Sequence, residues 1–295
     1  MTFESFSEER VSLFNRYLDE NLGRFRHSVS QRFGPLLDAM EYSLDGGGKR
    51  LRPLLVLSSA EYLGLAAESV LPAACALEYI HTYSLIHDDL PALDDDDTRR
   101  GKPSSHKKFG EAMAILAGDA LLTEAFGQVL QLSQQGYPPA HCLAAIELIV
   151  QYAGVRGMVG GQVLDVTTQE LTYSLPELEF IHIHKTGALI LGAVLLPTRL
   201  VPVEEAKLQK LRRYGEALGL AFQISDDILD AETTFRYSRG PRKKPKPSYA
   251  AVMGRTEMKE KLHRLIDSAI SAIAQEGERA KPLIGIAQFI RDRKN

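Results

Sequence analysis

Residues Leu71 to Asp97 read LPAACALEYIHTYSLIHDDLPALDDDD. Leu71, Ala74, Leu77, Ile80 and Tyr83 recur at helical spacing and form the apolar stripe of an amphipathic helix. That helix runs directly into Asp88 and Asp89, and then Asp94, Asp95, Asp96 and Asp97 follow. Pro91 sits poorly mid-helix, and an uninterrupted helix would align Asp88 with Asp95, not with Asp94. Helical geometry therefore leaves the partner of Asp88 and Asp89 open. Asp95 to Asp97 also read as solvent-facing caps.

The same periodicity extends outward from this stretch. Leu51, Leu54, Leu55 and Leu57 open an amphipathic helix upstream, and helices are predicted over 112–130, 140–154, 208–229 and 258–273. Breakers separate them at Gly46-Gly47-Gly48, Gly101-Lys102-Pro103, Gly136-Tyr137-Pro138-Pro139 and Gly240-Pro241. Strand-like alternation is rare, and neither a fixed repeat nor a hinge-like linker divides the chain. The expected fold class is all-α, a single large helical bundle of about ten or more helices in one domain over 1–295. One interruption is expected, a mobile basic loop near 232–248 holding Arg236, Arg239, Arg242, Lys243, Lys244 and Lys246.

Composition bounds the function classes. The 295 residues, 44% apolar and 25% charged, are those of an ordinary globular protein with a sizeable core. A net charge of −3 argues against nucleic acid as a partner. Cys75 and Cys142 are too few for a disulfide framework and lack metal-ligand spacing, which suits a reducing compartment. The N-terminus is acidic and has no signal-peptide run. The longest apolar run, 187–197, falls short of the ~20 residues of a membrane span. A cytoplasmic chain without a span is the expectation.

A second acidic motif, Asp226-Asp227-Ile228-Leu229-Asp230, lies far downstream of the first. On a helix Asp226 and Asp230 sit roughly 40° apart and one turn apart, so their carboxylates converge. Phe222, Ile224, Ile228 and Leu229 make the surroundings apolar. Gathering carboxylates in such a place is costly. Hard divalent cations offset that cost, and magnesium binds through one or two carboxylates plus substrate phosphates. A solvated acidic face would account for one such motif, but two embedded in apolar sequence point to metal.

Cations accompany both motifs. Arg99 and Arg100 follow the first, and Gly46-Gly47-Gly48-Lys49-Arg50-Leu51-Arg52-Pro53 is a glycine turn with cations at a helix start. Backbone amides and cations so placed suit a phosphate group, although the spacing is not that of a P-loop. Lys185-Thr186 precedes an apolar run and offers a further phosphate contact, or else a snorkelling helix lysine.

On these motifs the chain resembles the trans-isoprenyl diphosphate synthases, most closely the bacterial farnesyl type, in register from about Gly46 to Asp230. Gly157-Met158-Val159-Gly160-Gly161-Gln162 with Asp165, and Phe222-Gln223-Ile224, belong to the same pattern. The resemblance implies the isoprenoid synthase fold around a central cavity, a homodimer, and three Mg2+ ions per site. It implies metal ligation by Asp88, Asp89 and Asp94 and by Asp226, with support from Asp227 and Asp230. Arg99, Lys185 and Lys246 would contact the allylic diphosphate, and Lys49, Arg52, His81 and Arg100 would hold isopentenyl diphosphate. Thr186 and Gln223 would flank the reacting carbons, and Gln162 and Asp165 would line the cavity. For His81 a satisfied core histidine is the competing reading.

The implied reaction is magnesium-assisted ionisation of an allylic diphosphate and attack by the isopentenyl double bond. Tyr83 and Ser84 lie about one turn before Asp88. A bulky Tyr83 would floor the hydrocarbon pocket and stop growth at the farnesyl product, with geranyl and geranylgeranyl products as alternatives, and ordinary core packing of Tyr83 suits the sequence equally. After Asp230 the chain departs from the family pattern, because the Gly-Lys and Gly-x-Asp elements of the following loop are missing. That departure keeps a non-catalytic regulatory subunit in view. A class I terpene cyclase shares the scaffold but has no use for Lys49, Arg52 and Arg100.

Overall fold

A computed structural model describes residues 2–45, 48–167, 174–237 and 248–293, without the side chains of 232–237. Helix α1 spans Phe3–Ser28 and starts where the Thr2 hydroxyl accepts the Ser5 N–H. It has no counterpart in the sequence reading, since its polar faces dilute the apolar period. Then come α2 (Gly34–Leu44), α3 (Leu51–Tyr62) and α4 (Leu71–Asp88). A short antiparallel hairpin pairs β1 (Thr98–Arg99) with β2 (Lys102–Pro103). It is followed by α5 (Ser105–Phe109), α6 (Glu111–Leu130), α7 (Pro139–Ala153), α8 (Met158–Thr167) and α9 (Leu175–His182). A π-helical turn, Ile183–Gly187, leads into α10 (Ala188–Leu195). The long α11 (Glu205–Tyr237), the short α12 (Tyr249–Val252), α13 (Arg255–Ile273) and α14 (Lys281–Asp292) complete the order.

The all-α expectation is met, with two differences of substance. Helices α3 and α4 are not amphipathic: every residue from Leu51 to Ala60 and from Leu71 to Ile80 is buried. They are central helices that α6, α10 and each other enclose. Full burial of side chains such as Leu55, Leu57, Leu77 and Ile80 stabilises by about 1.5–3 kcal/mol each. The second difference concerns the basic loop. The backbone of 232–237 continues α11, and 238–247, with Lys246, lies outside the described residues, as do Gly46 and Gly47.

One apolar cluster runs from Phe6 on α1 to Ile290 on α14. Within it α10 packs on α11 and α11 on α13. Three helical stretches, Glu111–Gln135, Pro139–Thr167 and Leu175–Arg199, have the length and mean apolarity of a bilayer crossing. The uninterrupted run used in the sequence reading understates them. In the last stretch 61% of the apolar window is buried inside the bundle, and in the first two 39% and 44%.

Candidate active site

Helix α4 ends at Asp88 because Leu90-Pro91 cannot continue it. The chain then turns back, and the Asp94 N–H donates to the Asp88 carbonyl at 2.8 Å. A turn, not a helix, therefore brings Asp94 beside Asp88. Asp88 lines a cavity of about 720 Å³, and Asp226 of α11 lines it too. The two acidic motifs share one space.

The carboxylates within each motif differ in surroundings. Asp89 is buried and paired with the Arg99 guanidinium of β1, and Arg99 lines the cavity beside Asp88. Asp226 is half-buried and Asp230 exposed. Burial pushes the Asp226 carboxyl up, against the pull of Arg293, which is bonded to it. Asp227 is buried, accepting from Gln223 Nε2 at 2.8 Å and from the Tyr249 N–H at 2.6 Å. Burial pushes it up to about 6 despite those bonds.

Lys185 and Thr186 sit on the π-helical turn, a local widening that is frequent at functional sites. The turn presses on α8 so closely that a Cβ on Gly161 would lie 2.2 Å from the Lys185 nitrogen. The Lys185 ammonium pairs with Asp165. Burial alone would lower its pKa, but Asp165 and Asp88, with Asp94, outweigh that and hold it above its ordinary value. Thr186 Oγ1 donates to Gln223 Oε1 at 2.9 Å, so Thr186, Gln223 and Asp227 form one chain of hydrogen bonds along the wall.

A second cavity of about 490 Å³ adjoins the first, and Arg52, His81, Arg100 and Phe222 line both. Lys49 lines the second, its ammonium 5.4 Å from the Phe289 ring centre. Arg100 occupies a left-handed hairpin position (φ 53°) followed by Gly101 (φ 77°), and a tight turn of this kind aims it back at Gly48. A Cβ on Gly48 would lie 2.8 Å from the guanidinium, so a side chain there would push the Arg100 tip aside. His81 faces both cavities and is half-buried. Burial, then Arg52 and Arg100, hold its pKa well below the ordinary value, so the imidazole is neutral. Burial also draws Arg52 down to about 10, which leaves it a cation at neutral pH.

Two features bear on what the space could hold. The side-chain amide of Gln162 is buried with neither atom bonded within the protein, and Arg52 Nε is likewise unpartnered. Donors left in this way beside a cavity suit a polar ligand. The carboxylate oxygens of Asp88 and Asp226 are hard donors that suit magnesium. Asp95, Asp97 and His106 form another close group, with ligand atoms within 4.8 Å of one another, and Lys107 pairs with Asp97 at 2.9 Å.

The same cavity has apolar side chains in its lining. Tyr83 is buried and lines the cavity with Ser84, Val159, Val163 and Val166. Sequence reasoning named Val159 only as part of a motif and did not name Val163 or Val166, although their spacing on one helix was available. It also missed His87, which lines the cavity and is bound to the Ile115 carbonyl at 3.1 Å. Arg293, next to the C-terminus, bonds Ser225 Oγ at 2.7 Å and the Phe222 carbonyl at 3.0 Å besides Asp226. No sequence signal ties a terminal arginine to a motif so far upstream.

Known proteins resemble this chain in sequence and in fold. A polyprenyl synthetase family model matches residues 34–272. The farnesyl diphosphate synthase of Geobacillus stearothermophilus is 47% identical over 238 residues, which cover 79% of this chain and 80% of that protein. The geranylgeranyl diphosphate synthase of Cyanophora paradoxa is 43% identical over 265 residues, 88% of each chain. Among solved structures, a geranyltransferase from Legionella pneumophila superposes with a TM-score of 0.88 at 32% identity, covering 99% of this chain and 98% of that one. A fold, a pair of acidic motifs and a family match that spans most of the sequence agree, and the chain belongs to the polyprenyl synthetase family.

Proposed function

We propose that the chain condenses isopentenyl diphosphate with dimethylallyl or geranyl diphosphate and releases farnesyl diphosphate. The observation that carries this reading is that Asp88, Asp226 and Lys185 line one cavity together with Tyr83 and the apolar Val159, Val163 and Val166. An anionic head group on the charged residues and a hydrocarbon tail against the apolar ones fit that lining.

Asp88, Asp89 and Asp94 on one side and Asp226, Asp227 and Asp230 on the other would hold the magnesium ions, three per site. When bound, magnesium supplies Lewis acidity that draws charge from the bridging oxygen of the allylic diphosphate. Lys185 and Arg99 neutralise the departing group, and Lys246 would join them. Thr186 and Gln223, fixed by their mutual hydrogen bond, present oxygen dipoles to the allylic cation. Lys49, Arg52, His81 and Arg100 seat isopentenyl diphosphate in the adjoining cavity, so its double bond faces the cation. The proton leaves to the expelled diphosphate. Apolar walls keep water from the cation.

The whole chain acts as one domain, in a cytoplasmic compartment that suits the buried, unpaired Cys75 and Cys142. It works as a homodimer. Support comes from apolar side chains left exposed on the neighbouring helices α6 and α7, among them Ile115, Leu116, Leu143 and Val150. Exposed apolar faces of this kind mark interaction surfaces. The kinship with geranylgeranyl synthases makes a twenty-carbon product the second reading.

The test is product analysis with isopentenyl diphosphate and either dimethylallyl or geranyl diphosphate, with and without EDTA. A metal-dependent fifteen-carbon product is expected, and Tyr83→Ala should lengthen it. A twenty-carbon product from the unaltered chain removes Tyr83 as the floor. No condensation by the purified chain moves the reading to a regulatory subunit.

A further inference from the structure

Three described residues other than glycine have a left-handed backbone: Arg50 (φ 46°), Asp95 (φ 54°) and Arg100 (φ 53°). Residues with a Cβ disfavour that conformation, and such residues gather where surrounding structure over-determines them. Arg50 stands at the turn that starts α3, between Lys49 and Arg52. Arg50 and Glu78 both line the second cavity, but the Arg50 guanidinium is taken up by partners within the protein. Nη1 donates to Glu78 Oε1 at 2.6 Å, Nη2 to the Leu44 carbonyl at 2.8 Å and Nε to Asn15 Oδ1 at 3.2 Å. The group also lies 5.8 Å from the Phe14 ring centre. The side chains of Arg50 and Glu78 are 7% and 3% exposed. One arginine thus ties α1, α2 and α4 to the first turn of α3. Glu78 lies one turn before His81 on α4, so the anchor and the cavity wall belong to the same rigid element.

We propose that Arg50, clamped by Glu78, is a positioning residue for the second diphosphate. The buried pair holds the left-handed turn that sets Lys49 and Arg52 into the same groove as His81 and Arg100. This inference rests on the reading of that groove as the isopentenyl diphosphate site. A competing account makes Glu78 a mere counter-charge to the arginines around it. The two accounts predict opposite signs. If Glu78 only balances charge, removing it strengthens the positive field and tightens diphosphate binding. If it positions, removing it loosens the turn and weakens binding.

Glu78→Gln keeps the shape and removes the charge, and Arg50→Lys keeps the charge and removes the three-way fork. In each the KM for isopentenyl diphosphate should rise about 10-fold, which is ~1.4 kcal/mol. The KM for the allylic diphosphate should move far less. The double variant should add little beyond either single change, since the pair acts as a unit. Calorimetric binding of isopentenyl diphosphate alone should show the same rise in Kd. An unchanged or lower Kd in Glu78→Gln overturns the inference, as does an equal rise in both KM values. If Glu78→Gln does not fold, Arg50→Lys carries the same measurement. Failure of the unaltered chain to bind isopentenyl diphosphate in calorimetry would instead remove the reading of the groove.

Discussion

Asp88 and Asp226 stand on different helices and meet only across the cavity. Charge-stabilising groups at a reacting centre contribute through position, and losing one commonly costs about 10²–10³ in kcat. Asp88→Asn and Asp226→Asn are each expected to lower turnover on that order, while far-ultraviolet circular dichroism stays helical. Near-normal turnover in either variant would contradict the metal reading. His182 supplies a prediction independent of the reaction. It is buried and stacked on Tyr249 at 5.2 Å, and burial, then Lys185, draw its pKa down to about 4. In the unfolded chain an imidazole titrates near ~6.5. Above that pH both states are neutral and His182 has no effect on stability. As pH falls from about 6.5 to about 4 only the unfolded state takes the proton, so stability is lost by on the order of 3 kcal/mol. His182→Phe keeps the stack and cannot titrate. Its melting temperature should fall less than that of the unaltered chain over this window, and parallel curves would refute the assignment.

At the scale of elements, the π-helical turn and α8 form a close-packed pair. Gly161 has no room for a Cβ against the Lys185 backbone, and backbone cannot swing aside as a side chain tip does. Gly161→Ala must therefore move the turn or α8. Overpacking of this type costs about 1–3 kcal/mol, and the shift also displaces Lys185 from the cavity. A lower melting temperature together with a lower kcat is expected, and a variant normal in both would show that the turn yields freely. The hairpin that carries Arg99 and Arg100 was not legible in the sequence. Its strands are only two residues long, too short for any alternation to register. The turn Arg100-Gly101 also lacks the Asn-Gly or Asp-Gly pair that signals a hairpin.

For the molecule as a whole, a buried core coexists with apolar faces left open on α6 and α7. Leu116 is 54% and Leu143 66% exposed, and exposed side chains contribute nothing to the fold of one chain. Leu116→Arg should leave the monomer fold intact and shift the mass measured by light scattering from dimer to monomer. A monomeric unaltered chain would remove the homodimer proposal. What the sequence alone determined is the helical class, from apolar spacing, and the two acidic motifs with their companion cations, from local residue order. Both are properties of neighbours along the chain. Tertiary structure alone decided that α3 and α4 are enclosed on all sides and that Asp88 shares a cavity with Asp226. It also decided that Arg293 reaches back to Asp226 and that Arg50 turns inward to Glu78. These are contacts between residues far apart in sequence, and helical periodicity reports only which face is apolar, never which distant partner covers it.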